Sequence, residues 1–346
     1  MSLPTTAREY SYPQLGSFEN LVVRDVPLNP PKATQVLVKV HAVSLQVRDL
    51  MISSGQYPGS TPPNLVPCSD MAGEVVAVGE SVTEWAPGDR VCANFMLDKL
   101  HDEQTDQIND SALGGAAHGV LVEYRTFPAH SLVRIPGHLS YEEASTLPCA
   151  AVTAYSALVG GYEQVKAGDT VLIQGTGGVS MYFAVASGAT CIVLSSSDEK
   201  LKVATRLGAA HVINYRTTPE WADEARRLTH GRGVDRVVEV VGNATLARSF
   251  AAVRYGGSID IIGLLSGMAP PVDIITHAIF KQLKIRGIYV GSVAQFKAMN
   301  RLLAAHAATR PIVDRVFPFE EAPAAFAYMA RQEHVGKVVI RVAAAE

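Results

Sequence analysis

The segment TVLIQGTGGVS, residues 170–180, decides the fold. Residues 171–174 are apolar up to a closing glutamine and read as a buried strand. A Gly-rich turn follows and opens a helix. Gly175 permits a tight turn, and Gly177 lets backbone N–H groups approach a pyrophosphate. The helix N-terminus adds partial positive charge. Thr176, Gly178 and Val179 complete the candidate cofactor loop, and Ser180 takes the third fingerprint position, small but not glycine. Alone such a turn says little, but a strand precedes it and a helix follows.

Downstream, strand-like runs alternate with helical stretches: Cys191 to Ser195, His211 to Tyr215, Asp235 to Val241, Ser258 to Ile262 and Ile285 to Val290. With residues 171–174 they make six. Alternation of this kind predicts a parallel sheet with right-handed crossovers, a doubly wound dinucleotide-binding domain. Upstream the rhythm is different. Gln35 to Ser44 alternates apolar and polar residues, as a half-buried strand does. Ala72 to Val78, Arg90 to Phe95, Val120 to Phe127 and Leu132 to Ile135 continue as short strands parted by Gly and Pro, which predicts a small β-rich domain. Leu97 to Ala117 is polar, has no period and reads as a loop. Ser140, with Glu143 three residues on, signals a capped helix start. Near the end a helix (Val293 to Ala307), a strand (Val313 to Pro318), a helix (Ala322 to Arg331) and a strand (Lys337 to Val342) are expected to return to the first domain. The fold class is therefore α/β. The β-rich catalytic domain takes residues 1–129 and 293–346, and the doubly wound domain residues 130–292.

Composition excludes several functions. Among 346 residues, 48% are hydrophobic and 18% charged, so the chain has a core and is not a disordered segment. A net charge of −3 argues against nucleic acid as partner. No apolar run reaches the roughly 20 residues of a membrane helix. The polar first residues lack a signal-peptide pattern, so a cytoplasmic protein is expected. The four cysteines, Cys68, Cys92, Cys149 and Cys191, are too far apart in sequence for a zinc cluster or redox pair, and read as reduced thiols.

Cofactor choice is read about 20 residues past the Gly-rich turn, where an acid would bind a ribose 2′-hydroxyl. Here Ser195, Ser196 and Ser197 stand there, with Lys200 close by and Tyr215 closing the third strand. Hydroxyls and an amine suit a 2′-phosphate, so NADPH is the expected cofactor. Asp198 is the counter-evidence, and Ser197 also suits a plain helix cap.

PGDRV (residues 87–91), LPCA (147–150), the Gly175 loop, GAAHVINY (208–215) and the terminal VGKVVIR (335–341) together resemble the medium-chain dehydrogenase/reductase superfamily, almost end to end. The resemblance implies a GroES-like catalytic domain around a Rossmann domain. Zinc alcohol dehydrogenases of that superfamily carry a Cys and a Gly-His-Glu where this chain has Gln46 and Cys68-Ser69-Asp70, and four clustered cysteines where residues 97–117 have none. The chain looks like the zinc-free quinone and enoyl reductases, with no metal. Its GQYP, residues 55–58, resembles the loop in which enoyl reductases carry a tyrosine proton donor, which makes Tyr57 the catalytic candidate. Packing at a turn is the alternative. Where related sequences read Ser-Leu-Asn-Tyr-Arg-Asp-Leu, this chain reads SLQVRDL, residues 44–50, so Gln46 faces substrate in an altered setting and Arg48 with Asp49 suggests an ion pair. By resemblance Thr153 contacts nicotinamide, Leu264, Val290 and Ser292 flank it, and the last Rossmann strand is a homodimer edge. The helix after Gly178 is about three residues shorter than in relatives. The function expected is NADPH-dependent hydride transfer to a quinone or the C=C of an α,β-unsaturated carbonyl. An alcohol dehydrogenase and a non-catalytic NADPH-binding protein are the alternatives.

Overall fold

The computed structural model describes residues 3–161, 163–175, 179–267, 270–308 and 310–343. The chain divides into two units, Met1–Val152 with Gly291–Glu346, and Thr153–Val290. In the first unit β1 (Thr6–Ser11) pairs antiparallel with β2 (Val22–Pro27). Next come β3 (Gln35–Ser44), helix α1 (Val47–Ser53), β4 (Asp70–Val78) and β5 (Arg90–Ala93). A short helix, α2 (Asp106–Asp110), interrupts the stretch expected to be loop throughout, with Thr105 accepting the Ile108 N–H as its cap. β6 (Tyr124–Pro128), β7 (Leu132–Arg134) and α3 (Tyr141–Ala144) follow. The expected cap is present at α3. The Glu143 N–H donates to Ser140 Oγ at 3.2 Å, and the Ser140 N–H donates to Glu143 Oε2 at 2.8 Å.

Residues 130–152, assigned from sequence to the doubly wound domain, belong instead with the first sheet. The reason is strand pairing: β7 hydrogen-bonds to β5, with Val91 opposite Arg134. Helix α4 (Val152–Leu158) then leads on.

The second unit runs β8 (Thr170–Gln174), α5 (Val179–Ala186), β9 (Thr190–Ser195), α6 (Asp198–Arg206), β10 (His211–Asn214) and α7 (Trp221–Leu228). It continues with β11 (Val234–Glu239), α8 (Asn243–Ala252), β12 (Val253–Ile261), α9 (Ile274–Lys281) and β13 (Lys284–Gly287). Its six strands lie in the order β10-β9-β8-β11-β12-β13, and every pair is parallel. This is the doubly wound order, with its topological switch at β8 and β11. Apolar residues on these strands, such as Leu172, Ile192, Val237 and Ile259, pack with Trp221 and Phe250 from the helices.

The chain then returns to the first unit through α10 (Val293–Ala305), β14 (Val313–Pro318), α11 (Ala322–Ala330) and β15 (Lys337–Arg341). The first sheet has the order β14-β15-β3-β4-β5-β7, with β6 also on β3. β3 was expected to be half-buried, but successive residues such as Val36, Leu37 and Val38 are all buried, and only Gln35 and Lys39 keep partial exposure. Val36, Val38, Val75, Phe127, Phe326 and Ile340 join one core.

Candidate active site

In the doubly wound unit, the carboxyl ends of β8 and β11 are stitched together by side chains. Gln174 ends β8 and Glu239 ends β11. Gln174 Nε2 donates to Glu239 Oε2 at 2.7 Å and to Ser249 Oγ at 3.1 Å, and its Oε1 accepts the Val240 N–H at 3.1 Å. Glu239 further accepts the N–H groups of Val241 and Gly242 at 2.9 and 3.0 Å, and the hydroxyls of Thr245 and Ser249 at 2.8 and 2.5 Å. Sequence reasoning missed this pair. Its signal is a polar residue closing the apolar run of each strand, Val171 to Ile173 and Val237 to Val238, at the switch.

Gly175 leaves β8 at φ +88°, a left-handed value that favours glycine, and its N–H donates to Leu194 O at 2.9 Å. A Cβ there would meet nothing within 4 Å. Open space at the carboxyl end of the first strand fits a dinucleotide. Thr176, Gly177 and Gly178 lie outside the described residues; the backbone of Val179 opens α5.

The residues expected around a 2′-phosphate sit at the ends of β9 and β10. Ser195 is buried, Ser196 and Lys200 are half-buried, and Tyr215 is exposed, its N–H donating to Ser195 O at 3.0 Å. Asp198 accepts Asn214 Nδ2 on Oδ1 at 2.7 Å, which ties the acid to the end of β10. Ser197 stands at the N-cap of α6, but its side chain makes no cap bond, which removes the simple capping explanation of the serine run. Thr153 is buried in α4, Leu264 is exposed, and Val290 is buried with φ +55°, an outlier for a β-branched residue. Ser292 caps α10, its Oγ accepting the Gln295 N–H at 3.3 Å.

The first unit holds a second cluster. Cys68 has φ +67°, and its carbonyl accepts the Val120 N–H at 3.0 Å, which fixes how Ser69 and Asp70 enter β4. Asp70 is fully buried, and its oxygens are taken up by three donors. Ser69 Oγ donates to Oδ1 at 2.5 Å, while Gln46 Nε2 and the Cys149 N–H donate to Oδ2 at 2.8 and 2.9 Å. Burial pushes the Asp70 carboxyl up to about 6, against the pull of Ser69, Lys337, Cys149 and Gln46. Gln46 Oε1 accepts Lys337 Nζ at 2.5 Å. Asp49 accepts the Gln46 N–H at 2.7 Å and is pushed by burial up to about 7, with Arg48 opposing.

Arg48 and Asp49 do not form the expected ion pair. The Arg48 guanidinium lies over the rings of Tyr57 and Phe95, 5.0 and 4.6 Å from their centroids, and donates to Leu113 O at 2.8 Å. Tyr57 is thus held against Arg48 in the loop that follows α1, and it is half-buried.

These residues do not fit zinc. Position 46 offers an amide and position 69 a hydroxyl, and the Asp70 oxygens already accept three hydrogen bonds. Among the described residues no group of three or more His, Cys, Asp or Glu side chains could hold a metal ion, and none of the four cysteines is in a disulfide.

Residues 32–137 match the alcohol dehydrogenase GroES-like domain, and residues 175–305 match the zinc-binding dehydrogenase family. The chain belongs to the medium-chain dehydrogenase/reductase superfamily and is an oxidoreductase of that family. It is 46% identical over 322 residues to a zinc-type alcohol dehydrogenase-like protein of Schizosaccharomyces pombe, covering 91% of this chain and 92% of the other. It is 31% identical over 300 residues to the crotonyl-CoA reductase of Streptomyces avermitilis, covering 78% and 66%. A solved structure from Sinorhizobium meliloti 1021, given an alcohol dehydrogenase name, shares 37% identity at a TM-score of 0.89 over 99% of this chain and 100% of that one. Among the described residues no helix is long and apolar enough to cross a membrane.

Proposed function

We propose that the chain is a metal-free, NADPH-dependent reductase of small electron-poor substrates, either quinones or the C=C of α,β-unsaturated carbonyls. The observation that carries this reading is the GroES-like unit's polar cluster. An amide, a hydroxyl, a fully hydrogen-bonded carboxylate and an ammonium stand where a zinc enzyme needs soft donors. Likeness to a crotonyl-CoA reductase supports the C=C as target. Likeness to alcohol dehydrogenase-like proteins keeps alcohol oxidation as the second reading.

Bound NADPH would supply the hydride. The chain's own residues would bind, orient and protonate. Gly175 and the N-terminus of α5 would take the pyrophosphate. Ser195, Ser196, Lys200 and Tyr215 would take the adenosine end. Thr153, Leu264, Val290 and Ser292 would line the nicotinamide. Tyr57, steadied by Arg48, would hand a proton to the product. A phenol is protonated at neutral pH and makes a competent donor. The exposed apolar face of α9, with Ile275, Ile279 and Phe280, next to the edge strand β13, supports a homodimer.

Turnover with a panel of enones, quinones and alcohols tests the reading. NADPH is consumed with enones or quinones, and alcohols are not oxidised. Alcohol oxidation alone would overturn it, and no turnover with any of them would favour a cofactor-binding protein. Two variants sharpen the test. Tyr57→Phe keeps the ring and lowers enone kcat at least about tenfold, general acid help being worth about 10²–10⁴-fold. Quinone reduction suffers less, since water can protonate its product. Lys200→Ala weakens NADPH about tenfold or more, as one charge-assisted bond of about 1.5–3 kcal/mol implies, and leaves NADH unchanged by calorimetry. Equal losses for both cofactors would remove Lys200 from the phosphate site.

A further inference from the structure

β11, β12 and β13 run parallel, and their register sets Arg236 opposite Ser258, Ser258 opposite Lys284 and, two residues on, Asp260 opposite Arg286. Side chains alternate between the faces of a strand, so these five share one face of the sheet. With Glu163 they line a pocket of about 230 Å³, its open mouth included. Arg236 is level with Val171, the second residue of β8, whereas the Gly175 turn leaves the other end of that strand. The pocket therefore lies toward the amino ends of the strands, away from the dinucleotide loop.

Its charges do not balance. Arg236, Lys284 and Arg286 bring three cations, and Asp260 and Glu163 bring two carboxylates. The side chains of Arg236 and Asp260 are 8% and 2% exposed, and Arg236 Nη1 donates to Asp260 Oδ2 at 2.6 Å. Arg286 leans on the same carboxylate, its Nε 3.6 Å from Oδ1. The two guanidinium groups also donate to carbonyls in the last turn of α4, Arg236 to Ala157 and Arg286 to Ser156. A helix C-terminus carries about half a negative charge, so part of the surplus remains. Buried charge without full compensation is costly.

The second carboxylate is loosely placed. Glu163 pairs with Lys284 at the rim, where both side chains are nearly half exposed. Such a pair is worth about 0–1 kcal/mol, so a better anion displaces it. We propose that this pocket binds a phosphate group, which takes the place of the Glu163 carboxylate on Lys284. Arg236 Nη2 donates to the Glu163 carbonyl at 2.7 Å, which holds the backbone while the side chain turns to solvent. Three cations then face Asp260 alone, and their surplus of two matches a phosphate dianion. Lys284 and Arg286 donate to it. A guanidinium has five N–H groups, and Arg286 uses one on Ser156 and points another at Asp260. The Ser258 hydroxyl adds a neutral donor, and Asp260 keeps Arg236 in place. The assignment does not depend on the reductase reading, and its test needs no turnover.

Inorganic phosphate is titrated calorimetrically into the full chain at fixed ionic strength, with NADPH saturating so that phosphate is kept off the dinucleotide loop. Thermal melts confirm that each variant is folded. Wild type binds one phosphate per chain. Lys284→Met weakens it about tenfold or more, the loss of one charge-assisted bond. Glu163→Gln acts in the opposite direction and tightens it about threefold, because the competing carboxylate is gone. A purely structural ion pair would not give opposite signs for its two partners. Lys200→Ala, at the proposed adenosine end, leaves phosphate affinity unchanged, which separates this site from the cofactor's. Ethyl phosphate, a monoester, distinguishes the sources. Binding equal to that of inorganic phosphate supports the phosphate end of a larger molecule, and much weaker binding supports the free ion. No phosphate uptake by wild type, unchanged affinity in Lys284→Met, weaker binding in Glu163→Gln, or an equal loss in Lys200→Ala overturns the assignment.

Discussion

Gly175→Val abolishes NADPH binding, and Gly168→Val does not. The two glycines make a matched pair at opposite ends of β8. Gly168 has φ +89° and Gly175 φ +88°, and a Cβ at either meets nothing within 4 Å. A β-branched side chain forced into that region costs about 1–3 kcal/mol at each. Both variants therefore lose similar stability, and both remain folded. Only the valine side chain introduced at position 175 projects into the space at the carboxyl end of the first strand, where a pyrophosphate must approach the backbone. Calorimetry should show at least a 100-fold loss of NADPH affinity for Gly175→Val and less than a threefold change for Gly168→Val. Equal affinities in the two variants would place the dinucleotide elsewhere.

Glu239→Ala destabilises the doubly wound unit by about 2–6 kcal/mol, two buried donors left without an acceptor at about 1–3 kcal/mol each. Five groups donate to this carboxylate: Gln174 Nε2, the Val241 and Gly242 N–H groups, and the Thr245 and Ser249 hydroxyls. Thr245 also reaches Gly242 O, and the Val241 N–H also reaches Gln174 Oε1 at 3.3 Å, so both keep a partner when the carboxylate goes. The buried Gly242 N–H and the Ser249 hydroxyl lose the acceptor that holds them in the turn. Glu239→Gln keeps the volume, turns one end from acceptor to donor, and costs less, about 1–3 kcal/mol. Urea unfolding followed by far-UV circular dichroism measures both. A loss under about 1 kcal/mol for Glu239→Ala would mean that water replaces the carboxylate and that the switch-point turn does not depend on it.

What could be read from the residues followed the range of the forces involved. Short-range signals were legible. Apolar runs marked β8 to β13 with ends off by a few residues, and Ser140 with Glu143 marked α3. Gln35 to Ser44 was placed residue for residue, though its alternation suggested an open face. Burial on both faces comes from segments far away in the chain, which no local period reports. Val120 to Phe127 became β6 at Tyr124–Pro128 because residues near 120 instead hold the Cys68 carbonyl. The candidate site split in the same way. Gln46, Ser69 and Asp70 stood out by the types of residue they replace. Lys337 did not, because 291 positions separate it from Gln46 and only the β15–β3 register brings them together. Arg48 and Asp49, neighbours in sequence, looked like a pair. A helix sends adjacent side chains in different directions, and each found another partner.

Zinc content measured alongside turnover tests the central claim most directly. Purified protein is assayed by elemental analysis before and after dialysis against a chelator, and its NADPH-dependent enone and quinone reduction is measured on the same samples. The account predicts far less than one zinc per chain and no loss of rate after chelation. One zinc per chain that survives dialysis, with activity lost when it is stripped and restored when it is returned, would contradict it.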